Sequence, residues 1–135
     1  MRARSARQAF YEVGSALAGG RNPPQQSLSR VRDLASETMK AAKLTRSPDG
    51  TFELSFRGAR AFDAVIGPVA LSMYDLLRQG SFERLKQCPQ PDCGWLFYDR
   101  SKNNSRRWCD MAVCGNRMKA QRHRSRAAVR AEAVS

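Results

Sequence analysis

The chain carries four cysteines, arranged as two pairs with the same internal spacing: Cys88-Pro-Gln-Pro-Asp-Cys93 and Cys109-Asp-Met-Ala-Val-Cys114. Four residues separate the members of each pair, and fifteen lie between the pairs. A thiolate pair on a short loop holds two corners of a tetrahedron, and fifteen residues let the chain return with the other two. Thiolates are soft donors and suit Zn²⁺ in a closed site. Two disulfides, an iron–sulfur cluster or buried free thiols are the competing uses of four cysteines. Compartment bears on the choice. The first residues, MRARSARQAF, are basic with no continuous apolar stretch behind them, so no secretory signal is expected. The most apolar run, from Val65 to Leu77, is broken by Gly67, Pro68, Ser72 and Asp75, which makes it too short and too polar to cross a bilayer. A cytoplasmic location with no membrane partner is expected, and disulfides rarely persist there. Zinc is therefore preferred, as one structural ion on Cys88, Cys93, Cys109 and Cys114. A sphere closed by four sulfurs leaves no position for an activated water, so no catalytic residue and no enzyme activity are expected. His123, the only histidine, is expected on a basic helix rather than at the metal.

Upstream of the cysteines the hydrophobic period is helical. Ala6, Phe10, Val13 and Leu17 predict an amphipathic helix over 5–18, stopped by Gly19-Gly20. Leu28, Val31, Leu34, Ala35, Met39 and Ala42 predict a second over 27–43. The period then changes. Phe52, Leu54 and Phe56 alternate with Glu53, Ser55 and Arg57, as in a half-buried strand. Ser47-Pro48-Asp49-Gly50 ahead of it is a turn, in which proline presets φ and glycine takes the left-handed position, so 43–46 is the expected partner strand. A third helix over 59–78 carries Phe62, Ile66, Val69, Met73 and Leu76 on one face, with a kink expected at Gly67-Pro68. The methionines and aromatics of these segments are expected to fill core.

Charge narrows the partners. Twenty-four Lys and Arg oppose twelve Asp and Glu, a net charge of +12 that favours polyanions. Nine cations lie between Arg100 and Arg126, opposed by Asp110 alone. Within that run Arg106, Arg107, Arg117, Lys119, Arg122, Arg124 and Arg126 are the candidate nucleic-acid contacts. A last helix over 114–129 would place Lys119, Arg122, Arg126 and Arg130 on one face, with Arg117 and Arg124 on an adjacent one. Like charges sharing a face repel, and an anionic partner relieves that cost. Trp95, Phe97, Tyr98 and Trp108 flank the cysteines. Trp95 and Trp108 are expected to form a small core for the metal module, although such rings also stack on bases.

Cys88-Pro, Cys93-Gly-Trp-Leu-Phe, Ser105-Arg-Arg-Trp-Cys109, Met111 and Cys114-Gly-Asn-Arg117 together resemble the CGNR zinc finger family of bacteria. Members usually carry an N-terminal helical domain called ABATE, regarded as a stress-induced transcription regulator, and residues 5–80 look similar to its later part. Members usually have a further segment, ending in a Leu-Asp-x-x-Asn-Thr-like motif, ahead of the position of Met1, so the helical domain is expected to be N-terminally short. The resemblance implies zinc on the four cysteines and a role on DNA, and it names no catalytic residue.

The expected fold is mainly α with a small β-hairpin and a C-terminal treble-clef-like Cys₄ zinc finger. In that finger a knuckle carries Cys88 and Cys93, a short hairpin follows, and the last cysteine begins a helix. The expected domains are an ABATE-like unit over 1–80, a CGNR-type finger over 81–130 and a tail over 131–135. A zinc-stabilised DNA-binding transcription regulator is the expected function. A zinc-stapled module for RNA or protein partners is the alternative. A two-fold homodimer suits a regulator, although no residue pattern here requires one.

Overall fold

A computed structural model describes residues 2–132, with side chains through Ala127. The last three residues of the expected tail and the side chain of Arg130 lie outside the described residues. The chain forms two compact units, Met1–Phe82 and Glu83–Ser135.

The first unit is built on three helices, α1 (Arg2–Ala18), α2 (Gln25–Ala41) and α3 (Ala61–Gln79). α2 packs against both of the others. The contact layer is made of small residues: Ala6, Ala9, Val13 and Ala16 from α1, Val31, Leu34 and Ala35 from α2, and Ala70 from α3 are buried. Phe10, Leu17, Leu28, Phe62, Ile66, Met73 and Leu77 close over that layer from its sides. α1 ends where Gly20 takes a left-handed φ of 65° and the Arg21 amide donates to the Ala16 carbonyl at 2.8 Å. The Ser27 hydroxyl of α2 donates to the Glu12 carboxylate of α1, while Gln8 Nε2 donates to its other oxygen at 2.9 Å. Both bonds favour the ionised acid and hold Glu12 below its ordinary carboxylate range, Ser27 having the larger effect.

Met39 and Val69, expected in the core, are about half exposed. The inward stripe of α3 is Phe62, Ile66, Ala70, Met73 and Leu77, which leaves Val69 on the outer side. α3 continues through Pro68. Its neighbour has the structural role: a Cβ added to Gly67 would sit 2.6 Å from Thr38 Cγ2, so glycine lets α3 approach α2 at that point.

β1 (Lys43–Arg46) and β2 (Phe52–Ser55) pair antiparallel, with Leu44 opposite Leu54 and Arg46 opposite Phe52. The turn forms from local chemistry. Gly50 sits at φ 88°, its amide donates to the Ser47 carbonyl at 3.0 Å, and Asp49 Oδ1 accepts from the Thr51 amide and hydroxyl at 3.0 and 2.7 Å. The expected half-burial of this hairpin is not observed, since Phe52 is 68% and Leu44 71% exposed. α3 ends at left-handed Gly80, whose amide bonds the Leu76 carbonyl at 3.1 Å.

Candidate metal centre

The second unit begins with β3 (Leu85–Gln87) and β4 (Leu96–Tyr98), an antiparallel pair that sets Lys86 opposite Phe97. The first cysteine pair sits in the loop between these strands. The Cys88 amide donates to the Trp95 carbonyl at 2.8 Å, and the Cys93 amide to the Gln90 carbonyl at 3.0 Å. Buried Gln90 accepts from the Asp92 amide at 2.9 Å, and Gly94 turns the loop at φ 61°. The hairpin therefore encloses the knuckle, whereas the sequence had placed it after the knuckle. Trp95 also differs from expectation: it is 67% exposed and belongs to no small core. Trp108 is half-buried.

The second pair comes from a widened turn. Asp110 Oδ1 accepts from the Val113 amide at 2.8 Å, and the Asp110 carbonyl accepts from the Cys114 and Gly115 amides. Residues Met111–Gly115 form a single π-type turn that runs into α4 (Asn116–Glu132), so Cys114 sits at the head of the helix. A Cβ on Gly115 would lie 2.5 Å from Met111 Sδ and 3.2 Å from Trp108 Cδ1, so a side chain here would have to displace the Met111 thioether and press on the indole.

The four Sγ atoms all lie within 4.8 Å of one another. Cys93 and Cys109 are 3.5 Å apart, and Cys109 and Cys114 are 3.6 Å apart. A tetrahedron with zinc–sulfur arms of about 2.3 Å has edges of about 3.8 Å. The cluster thus has the size and donor set of a zinc site, and no other described His, Cys, Asp or Glu joins it. Burial pushes the Cys109 thiol up to about 12, reinforced by its sulfur neighbours and the Cys88 charge. Burial raises Cys114 as well. At Cys88 burial acts in the same direction, but bonds from the Cys109 and Gln90 amides and the neighbouring thiols outweigh it and bring that thiol down to about 7. Four crowded thiols thus cannot all ionise unaided, and a divalent cation supplies the charge that lets them.

A second layer holds the ligand loops, and sequence inspection missed it. Asp99 has no exposed surface. Its carboxylate accepts from Lys86 Nζ at 2.6 Å, from the Ser101 amide at 2.8 Å and from the Arg106 amide at 2.8 Å. Burial opposes ionisation there, yet these donors hold the group far below the usual carboxylate range. Lys86 also donates to the carbonyls of Asn104 and Arg106, and Arg84 to those of Asp99 and Ser101. Arg106 continues the network. Its Nε donates to the Trp108 carbonyl at 2.9 Å, its Nη2 to the Cys109 carbonyl, and its guanidinium lies 4.8 Å from the Phe97 ring centroid. Arg106, a candidate nucleic-acid contact, is thereby committed to positioning Cys109. The available signal was that Asp99 and Asp110 are the only acids between Cys93 and Ala131, and each binds backbone amides.

The remaining candidates Arg107, Arg117, Lys119, Arg122, Arg124 and Arg126 are exposed. None forms an ion pair among the described residues. At about 100° per residue, Lys119, Arg122 and Arg126 share one side of α4. Arg117 and Arg124 fall on nearly the opposite side rather than an adjacent one. His123 is exposed and lies outside the sulfur cluster.

A helical unit followed by a Cys₄ module on a knuckle and a helix start defines a zinc-finger protein. Family comparison agrees: residues 84–127 match the CGNR zinc finger, and residues 1–80 match ABATE, described as "Putative stress-induced transcription regulator". The chain belongs to the ABATE family and carries the CGNR zinc finger. A comparison with curated proteins yields no match. No described helix is long and apolar enough to cross a membrane.

Proposed function

We propose that this chain is a zinc-stabilised DNA-binding protein that acts in transcription regulation, with no catalytic role. The observation that carries this is the state of α4. Arg117, Lys119, Arg122, Arg124 and Arg126 are exposed and form no ion pair among the described residues, on a helix that continues directly from the π-type turn holding Cys114. Cations on two opposite sides of one helix suit a groove, whose two walls both carry phosphate. The metal fixes where the helix starts, so Arg117, three residues beyond Cys114, is the most rigidly placed to meet a base edge. Four sulfurs close the metal sphere, which leaves the zinc no position for a reacting water.

Selection of bound sequences from a random duplex library, using the zinc-loaded chain, tests this reading. Enrichment of a motif supports it. Binding of structured RNA in preference to duplex at equal salt favours the RNA-binding alternative. Capture of a protein partner with no nucleic-acid binding favours an interaction module, for which exposed Trp95 is the specific observation.

A further inference from the structure

The finger carries a groove of about 560 Å³ lined by Ser105, Arg106, Arg107, Trp108, Asp110 and Met111. Its lining is mostly carbon, and Trp108 and Met111 are its apolar residues. Three of its polar members are already committed or lie aside. Arg106 is spent on the Trp108 and Cys109 carbonyls, Asp110 caps the turn through the Val113 amide, and Arg107 stands with its guanidinium carbon 5.7 Å from the Trp108 ring centroid. At that distance the guanidinium lies over the indole as a cation–π partner, so a base stacked on Trp108 would take its place and leave Arg107 to cover the outer face. The Cδ1 edge of the indole packs beside Gly115, and Arg106 holds the carbonyls of Trp108 itself and of Cys109.

Phosphates need cations and amides, not an aromatic wall. Intact duplexes keep base faces inside the stack and present only polar edges. The face of an unpaired base is apolar, planar and joined to a phosphate, and stacking on an aromatic ring is the common way to hold it. A groove with an indole wall and a cationic rim matches that guest. The nine cations of 100–126 repel a basic peptide and attract a polyanion. Trp95, 67% exposed and two residues from Cys93, offers a second ring on the same unit.

We infer that the 105–111 groove takes an unpaired base of a nucleic-acid strand, stacked on Trp108 and covered by Arg107. The inference rests on the proposed nucleic-acid role and adds the element recognised. Four probes test it with the zinc-loaded full chain at one salt concentration: a single-stranded oligonucleotide, its intact duplex, the same duplex with one bulged base, and an abasic strand of equal phosphate count. The single strand should bind about tenfold or more tighter than the abasic strand, and the bulged duplex about tenfold or more tighter than the intact duplex. Trp108→Leu, checked for retained zinc, should erase that gap, and Arg107→Gln should narrow it. Should Trp108→Leu lose metal, Met111→Ser alters the same wall with the indole left in place and should narrow the gap too. In a Trp95→Phe background, base-bearing strands should quench Trp108 emission and the abasic strand should not. Equal binding of base-bearing and abasic strands overturns the groove assignment but leaves phosphate binding intact. No binding of any probe overturns both readings. Quenching of Trp108 by an acidic peptide, with none by the strands, also overturns the assignment.

Discussion

Lys86 and Asp99 meet across the knuckle hairpin with Nζ 2.6 Å from Oδ2, and this ion pair holds the chain that delivers Cys109 to the metal. Lys86 stands on β3, two residues before Cys88, and Asp99 directly follows β4. From Asp99 the path runs through the Arg106 amide, and from the Arg106 side chain to the Cys109 carbonyl. Outer-layer partners of metal ligands commonly set affinity by about 10–100-fold. Asp99→Asn and Lys86→Met should therefore each weaken zinc binding by about tenfold or more. Competition with a chromophoric chelator measures this. Unchanged affinity in both variants would show that the loops hold their shape without the pair.

Gly67 and Thr38 set the approach of α3 to α2. Alanine at Gly67 gains about 1 kcal/mol of helix propensity. The Cβ clash with a stiff β-branched side chain costs about 1–3 kcal/mol. Gly67→Ala should be net destabilising in chemical denaturation, and Thr38→Ser, which deletes the opposing methyl, should recover much of the loss. A double-mutant cycle with no coupling between the two positions would contradict the contact.

Much of this architecture was legible, for reasons specific to each feature. The metal ligands stood out because a tetrahedral site demands close cysteine spacing. Ala6, Val13, Val31 and Leu34 marked the helical core because period alone places them on one side. Met39 and Val69 misled because an apolar stripe is wider than the contact it makes, and its edges stay wet. Ser47-Pro48-Asp49-Gly50 announced its turn, but no residue in a strand says whether another element will cover it, so the exposure of Phe52 was not readable. β3 is three residues long and has a lysine at its centre, too little pattern to signal a strand ahead of Cys88. Asp99 passed unnoticed because a lone acid beside a cationic run looks like ordinary charge mixing. Its significance lies in the amides around it, which only folding assembles.

Glu12 gives the helical unit a pH signature. Its pKa is lower folded than unfolded, because Ser27 and Gln8 donate to the ionised form. The stabilisation is therefore fully present above the unfolded value of about 4.3, and is lost as pH falls through the depressed folded value. Zinc is stripped first with a chelator, so that acid release of the metal does not intrude. The three helices should keep their circular dichroism signal in that state, since residues 2–82 contain no metal ligand. Their urea midpoint should then fall between pH 6 and pH 3, and Glu12→Gln should reduce the fall. Collapse of all helicity on chelation would show that the helical unit depends on the metal. An identical fall in Glu12→Gln would remove Glu12 as its source.

The basic residues of the finger divide into three roles, and salt dependence with zinc affinity separates them. Each phosphate contact on duplex DNA contributes about 0.9 to the slope of log affinity against log salt. Lys119, Arg122 and Arg126 share one side of α4, so replacing all three with alanine should lower the slope by up to about 2.7 and weaken all sequences alike. Arg117, fixed by its nearness to Cys114, should behave differently: Arg117→Ala should relax preference at one position of the selected site. Arg106→Ala should differ from both, because its guanidinium faces the Trp108 and Cys109 carbonyls. Its first effect should be zinc loss, and when zinc is held in excess the salt slope should match that of the parent chain. Fluorescence anisotropy at four or more salt concentrations, beside zinc titrations of the same preparations, measures all three. If Arg106→Ala kept its zinc yet lowered the slope by about one, its side chain would have to leave the ligand loop for a phosphate, and the clamp on Cys109 would be dispensable.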